Sequence, residues 1–175
     1  MPCTLTSSLA LDCRDGVGGI LEIKVKTHPG TAVIASDFTE SSGVISIAAG
    51  SSRQTWYTYN LEKETASLTE KTTVSVANGT VFSEQELKII FNKLSAKLRN
   101  EIKLLAQNRL IFAVRDLNSV YWLVGMDYGA DLVESNATTG TARGDRSGYE
   151  LTFKAKEKSQ LLNISAATYD TLITA

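Results

Sequence analysis

This 175-residue chain has one histidine, His28, and two cysteines, Cys3 and Cys13, as its usual candidates for nucleophilic or metal chemistry. Cys13-Arg14-Asp15 holds a thiol, but a cysteine nucleophile needs a base, and His28 is the only imidazole that could serve it. His28 stands beside Pro29-Gly30, away from any Cys or acid cluster, and reads as a turn residue. A metal site would want several His or Cys ligands at suitable spacing, and the sequence has none. The cysteines could pair if Leu5 to Asp12 loops back, but reduced thiols are expected of a chain made in a cytoplasm. Gly16-Val17-Gly18-Gly19 resembles part of a phosphate loop, yet it lacks the following lysine and leads into a strand pattern, so a bend explains it. Glu84 and Glu86 could form a carboxylate pair. Two residues apart on one strand face, opposite hydroxyl and lysine side chains, they fit a solvated ladder better than acid–base work.

Recognition motifs are equally sparse. Arg143-Gly144-Asp145 matches a tripeptide read by adhesion receptors, but it sits in a Gly-rich stretch where such matches come easily. Asn136-Ala137-Thr138 and Asn163-Ile164-Ser165 fit the glycosylation pattern, with no basic-then-apolar leader expected at Met1 to Thr6. Trp56, Tyr57 and Tyr59 could stack bases, but without accompanying basic residues they read as core and sheet packing. Lys and Arg total 18 against 19 Asp and Glu, so the formal charge of −1 gives no electrostatic case for nucleic acid or an anionic membrane. No apolar run approaches the ~20 residues needed to span a bilayer. The sequence therefore predicts a non-enzymatic protein with no cofactor, no metal and no membrane partner.

The elements that would position these residues are mostly strands. The clearest is a hairpin from Ala66 to Phe91 closed by Asn78-Gly79, a pair suited to a type I′ turn because both central residues need positive φ. With that turn, Val76 faces Val81, Leu68 faces Ile89 and Ala66 faces Phe91 on an oily side. The other side pairs Thr73 with Glu84, Lys71 with Glu86 and Thr69 with Lys88. Such a ribbon exceeds the usual strand length of ~5–6 residues, which points to assembly rather than chemistry.

Elsewhere, Leu21, Ile23 and Val25 alternate with Glu22, Lys24 and Lys26 in a half-buried strand, and Val44 to Ala48 and Gln54 to Leu61 give two more. Leu94, Leu98, Ile102 and Leu105 recur at helical spacing, so Ser95 to Asn108 is a helix capped by Ser95. Leu110 to Val114 and Val120 to Met126 form a second hairpin, and Glu134 to Ser147 is expected as a mobile loop. Tyr149, Leu151, Phe153 and Ala155 alternate with polar residues in a last strand, and the tail beyond Ser159 is an expected arm docking on a neighbour. At 175 residues one domain is expected. Its class is mainly β with one helix: an antiparallel β-sandwich or partly closed barrel with a long hairpin and a flanking helix.

Across roughly residues 3 to 158 the chain resembles the tail tube subunits of long-tailed phages and related virion structural proteins of phages and prophages. The similarity runs through Cys13 to Ile20, the Asn78-Gly79 hairpin, Leu104 to Leu110, Tyr121-Trp122 before Gly125, and Gly144 to Phe153. The resemblance implies hexameric rings that stack, with hairpins from each subunit joined into a barrel lining a channel for DNA. It implies other tail proteins as partners, and a location in the virion tail after assembly in the bacterial host cytoplasm. Residues 1–19 and 159–175 would be inter-subunit arms. Leu68, Ile89 and Phe91 would pack on the sandwich, while Thr69, Lys71, Thr73, Glu84, Glu86 and Lys88 would line the lumen. Two acids balance two lysines there, a departure from a strongly acidic wall, and DNA would pass without specific binding. The alternatives are a head–tail connector, a tail terminator or a capsid-associated protein, or a non-viral binding module.

Overall fold

The run Leu110-Ile111-Phe112-Ala113-Val114 offers no polar face to water, and the fold gives water access to neither side of it. The computed structural model describes residues 14–30, 38–41, 43–47 and 56–172. Among them the strands are β1 (Ile20–Thr27), β2 (Phe38–Ser41), β3 (Val44–Ile47), β4 (Tyr57–Asn60), β5 (Ala66–Ser75) and β6 (Thr80–Asn92). After helix α1 (Ala96–Gln107) come β7 (Leu110–Asp116), β8 (Tyr121–Val124), β9 (Ala130–Thr138), β10 (Gly148–Glu157), β11 (Leu162–Ile164) and helix α2 (Ala166–Thr171). The strands form one open sheet folded into two layers, a β-sandwich with a flanking helix. One layer runs β4-β1-β7-β8-β11-β3-β2 and the other β9-β10-β6-β5, joined by a single bridge between Leu110 and Ala130.

Two cores result. Between the layers, Ile23, Val25, Phe112 and Val114 meet Leu87, Ile89, Leu151 and Phe153, and the Phe112 and Phe153 rings lie 4.8 Å apart. On the far side of the first layer, Ile111, Ala113, Leu123 and Ile45 are covered by Trp56, Tyr169 and Leu172. Helix α1 closes one end of the inner core with Ile102 and Leu105, and Ser95 caps it by accepting the Leu98 N–H at 3.2 Å.

Four expectations need correction. First, β1 is buried on both faces over Ile23–Lys26, not half-buried, because α2 and Trp56 lie over its lysine side. The Lys24 ammonium donates to the carbonyls of Tyr169 and Leu172 and sits 4.4 Å over the Tyr169 ring, while Lys26 lies over Trp56. Leu21 falls in the register shift between Ile20 and Glu22, so it is exposed. Second, the C-terminal tail packs on its own chain as far as Leu172, with the Tyr169 hydroxyl donating to Glu22. Third, Glu134 to Thr138 is strand, since β9 pairs with β10 up to Thr138↔Gly148, which leaves only residues 139–147 as loop.

Fourth, the long hairpin is shifted by two residues. Ala66 faces Ile89, Leu68 faces Leu87, Thr69 faces Glu86, Lys71 faces Glu84, Thr73 faces Phe82 and Val74 faces Val81. The turn takes four residues, Val76–Gly79, and only Gly79 is left-handed, at φ 61°, with its N–H donating to the Val76 carbonyl. Asn78 does not take positive φ, so the turn is the longer kind built without the type I′ pair. An even shift leaves every side chain on its expected face. Phe91 packs at the core margin opposite Tyr149 on β10. The N-terminal residues 1–13, with Cys3 and Cys13, lie outside the described residues.

Ile89 is 1% exposed, so Ile89→Asp should lower unfolding free energy by ~3–5 kcal/mol, while Leu68→Asp at a half-buried site should lose less. A Cβ on Gly148 would lie 2.1 Å from the Phe91 carbonyl oxygen in a strand held on both sides. Gly148→Ala should therefore shift the urea midpoint down by more than Leu68→Asp does.

Candidate assembly surface

The outer face of the second layer is built by alternation. Odd residues of β6 and β10 point into the core, so the even ones face away from it. This places Glu84, Glu86 and Lys88 beside Lys154 and Lys156, with Thr69, Lys71 and Thr73 on the adjoining strand. All six residues expected on the wet side thus share one face. The expected register set Thr73 opposite Glu84 and Lys71 opposite Glu86, but the cation that bridges both acids is Lys154. Its ammonium lies 3.2 Å from Glu84 Oε1 and 2.8 Å from Glu86 Oε2, and Lys88 adds a contact to Glu86 at 3.2 Å. Hydrogen bonds from Lys154 and then Lys88 hold the Glu86 carboxyl below the usual range, and the bonds to Glu86 and then Glu84 push Lys154 up. Lys154 was legible as a polar strand residue. Its partnership was not, because it joins strands 70 residues apart.

Both edges of this layer are open among the described residues. β5 pairs only with β6, and β9 beyond Ala130 pairs only with β10. Each edge is 9–10 residues long, ~30 Å at ~3.3 Å per residue. The inner side of β5 is tied down at mid-strand, where Glu70 accepts the Leu161 N–H at 2.7 Å and a hydrogen bond from Ser83. Beyond that, the hairpin projects with Val74, Val76 and Val81 exposed, Val76 to 90%. Asn78 and Gly79 lie at this tip.

The chemical candidates do not converge. His28 follows β1 as expected and is buried; its Nδ1 accepts the Gly30 N–H at 3.0 Å, and Nε2 has no partner. Among the described residues no three His, Cys, Asp or Glu side chains gather as metal ligands. Asp145 of the Arg-Gly-Asp tripeptide accepts the N–H groups of Thr141 and Ala142, so its carboxylate closes its own loop. Trp56 belongs to the outer core and Tyr59 packs edge-on against Phe91, which leaves Tyr57 as the exposed ring of the three.

Ion pairs this exposed contribute little to folding. The double variant Glu84→Gln/Glu86→Gln should change the unfolding free energy by less than about 1 kcal/mol in a denaturant titration. Compared with known proteins, the chain matches no family model, no curated protein and no solved structure.

Proposed function

We propose that this chain is a structural subunit of a phage-type tail tube, which joins its second layer edge to edge with further copies to build stacked rings around a channel for DNA. The observation that carries the reading is a four-stranded layer, β9-β10-β6-β5, dry inside, charged outside and, among the described residues, unpaired at both edges. Its strands alternate in direction and are even in number, so β5 and β9 run oppositely. A neighbour related by simple rotation then brings its β9 to this β5 antiparallel, and head-to-tail contacts of that kind close into a ring. Six such layers would make a wall of 24 strands, about 37 Å across before tilt widens it.

The charge of the wall suits passage rather than capture. Along its strands Lys71, Lys88, Lys154 and Lys156 stand against Glu84, Glu86, Asp131, Glu134 and Glu150, four cations to five anions, with Arg146 paired to Glu150 and Arg109 in the groove beside Glu84 and Asp131. Phosphate affinity needs a marked cationic surplus, and the strands of this face carry none. The exposed valines at the hairpin tip supply an apolar contact for the next ring.

Negative-stain microscopy of the purified chain tests the reading: long hollow rods are expected. Single rings that do not stack would move it to a connector or terminator of the same virion, and a monomer at all concentrations would overturn it. Val76→Asp, at a position almost wholly in water, should leave the melting temperature within about 2 °C of the parent and shorten or abolish the rods.

A further inference from the structure

Asparagine is a chemically labile side chain, because the backbone nitrogen of the next residue can attack its carboxamide carbon. The attack is easiest where that next residue is glycine, which sets no side chain in the way and bends freely. Asn78 is the one asparagine of the chain followed by glycine. We propose that Asn78-Gly79 is a self-modifying site, which deamidates without an enzyme and turns a neutral hairpin tip acidic.

The local geometry leaves the pair open to this chemistry. Both residues are exposed at the tip. Among the described residues nothing hydrogen-bonds the Asn78 carboxamide. The Gly79 N–H is held only by a long bond of 3.4 Å to the Val76 carbonyl. A Cβ placed on Gly79 would meet no atom within 4 Å, so a ring has room to form beside it. Other exposed asparagines are tied down. Asn118 accepts the Val17 N–H at 2.8 Å and donates to the Val17 carbonyl at 2.7 Å, and the Asn108 and Asn136 amides donate to Leu104 and Glu134 at 2.8 Å. Exposure alone does not single out Asn78; the free carboxamide and the glycine do.

The reaction balances with water as its sole co-reactant. The Gly79 nitrogen gives its proton to solvent and bonds to Asn78 Cγ, the Cγ–Nδ2 bond breaks, and ammonia leaves a succinimide ring. Water then adds to either ring carbonyl and cleaves the bond from that carbon to nitrogen. One opening yields aspartate; the other yields isoaspartate, whose main chain runs through Cβ. From Thr72 to Ser83 the chain carries no charge, and Val74, Val76 and Val81 are exposed there. The new carboxylate has to be desolvated before such a tip can be buried. The consequence, which rests on the tube reading, is a limit on how long a free subunit stays able to stack.

Ageing the purified full chain beside a synthetic Thr72–Lys88 peptide in mildly alkaline buffer tests the site. Trypsin releases the same Thr72–Lys88 segment from the chain, and mass spectrometry after chromatographic separation counts its aspartate and isoaspartate forms. Asn78 in the folded chain should convert within about thirtyfold of the peptide rate, with Asn118 intact. Asn78→Ser should remove the acidic variant that accumulates on ion exchange. Slower conversion of Asn78, or conversion at Asn118 just as fast, would sink the site. This measurement needs no rods, so the site and the tube reading fail separately. Where rods form, ordering of the tip should slow conversion by at least about tenfold against dispersed subunits; equal rates would take the tip out of the stacking contact.

Discussion

A strand with no polar side can survive only if something dry lies on both of its faces, and β7 is that strand. One face is answered by the second layer and the other by the C-terminal helix. Because the first layer is thus enclosed, the second layer has to cover only one side of it. Its own outer face is released to water, and that is where the charged ladder forms. The long hairpin is two-faced because it is the outermost skin of a three-tier stack.

The enclosure also explains the two buried lysines. A lysine inside a protein must find acceptors, and Lys24 finds them at the end of α2, where the last carbonyls of a helix have no partner of their own. The tail helix is short and would not persist alone. It is held by a lysine, a tyrosine hydroxyl and the ring packing of Tyr121 on Tyr169. An apparent mismatch of the sequence, cations in a buried strand, is the clasp that fastens the cover.

How much could be read from the chain follows the range of the interactions. Local signals were reliable: Ser95 as a cap, the helical spacing of Ile102 and Leu105, and the alternation of Leu151 and Phe153 each depend on residues a few positions apart. So was the division of the long hairpin into faces, which depends on parity alone. What could not be read depends on partners far along the chain. Nothing near Lys24 announces Tyr169, and nothing near Glu134 announces that β10 will pair with it. The Asn-Gly pair misled because a four-residue turn needs only one left-handed glycine, and Val76-Ala77 joined the loop instead of the ladder.

The two-residue displacement in that hairpin carries a lesson about how such a protein can change over generations. Side chains alternate with a period of two, so losing or gaining one position within either arm would turn Glu86 inward and Leu87 outward. Insertions or deletions arriving in pairs keep every residue on its side. The ribbon is therefore free to grow or shrink in quantised steps, and its length can drift among descendants while the pattern of its two surfaces is inherited intact.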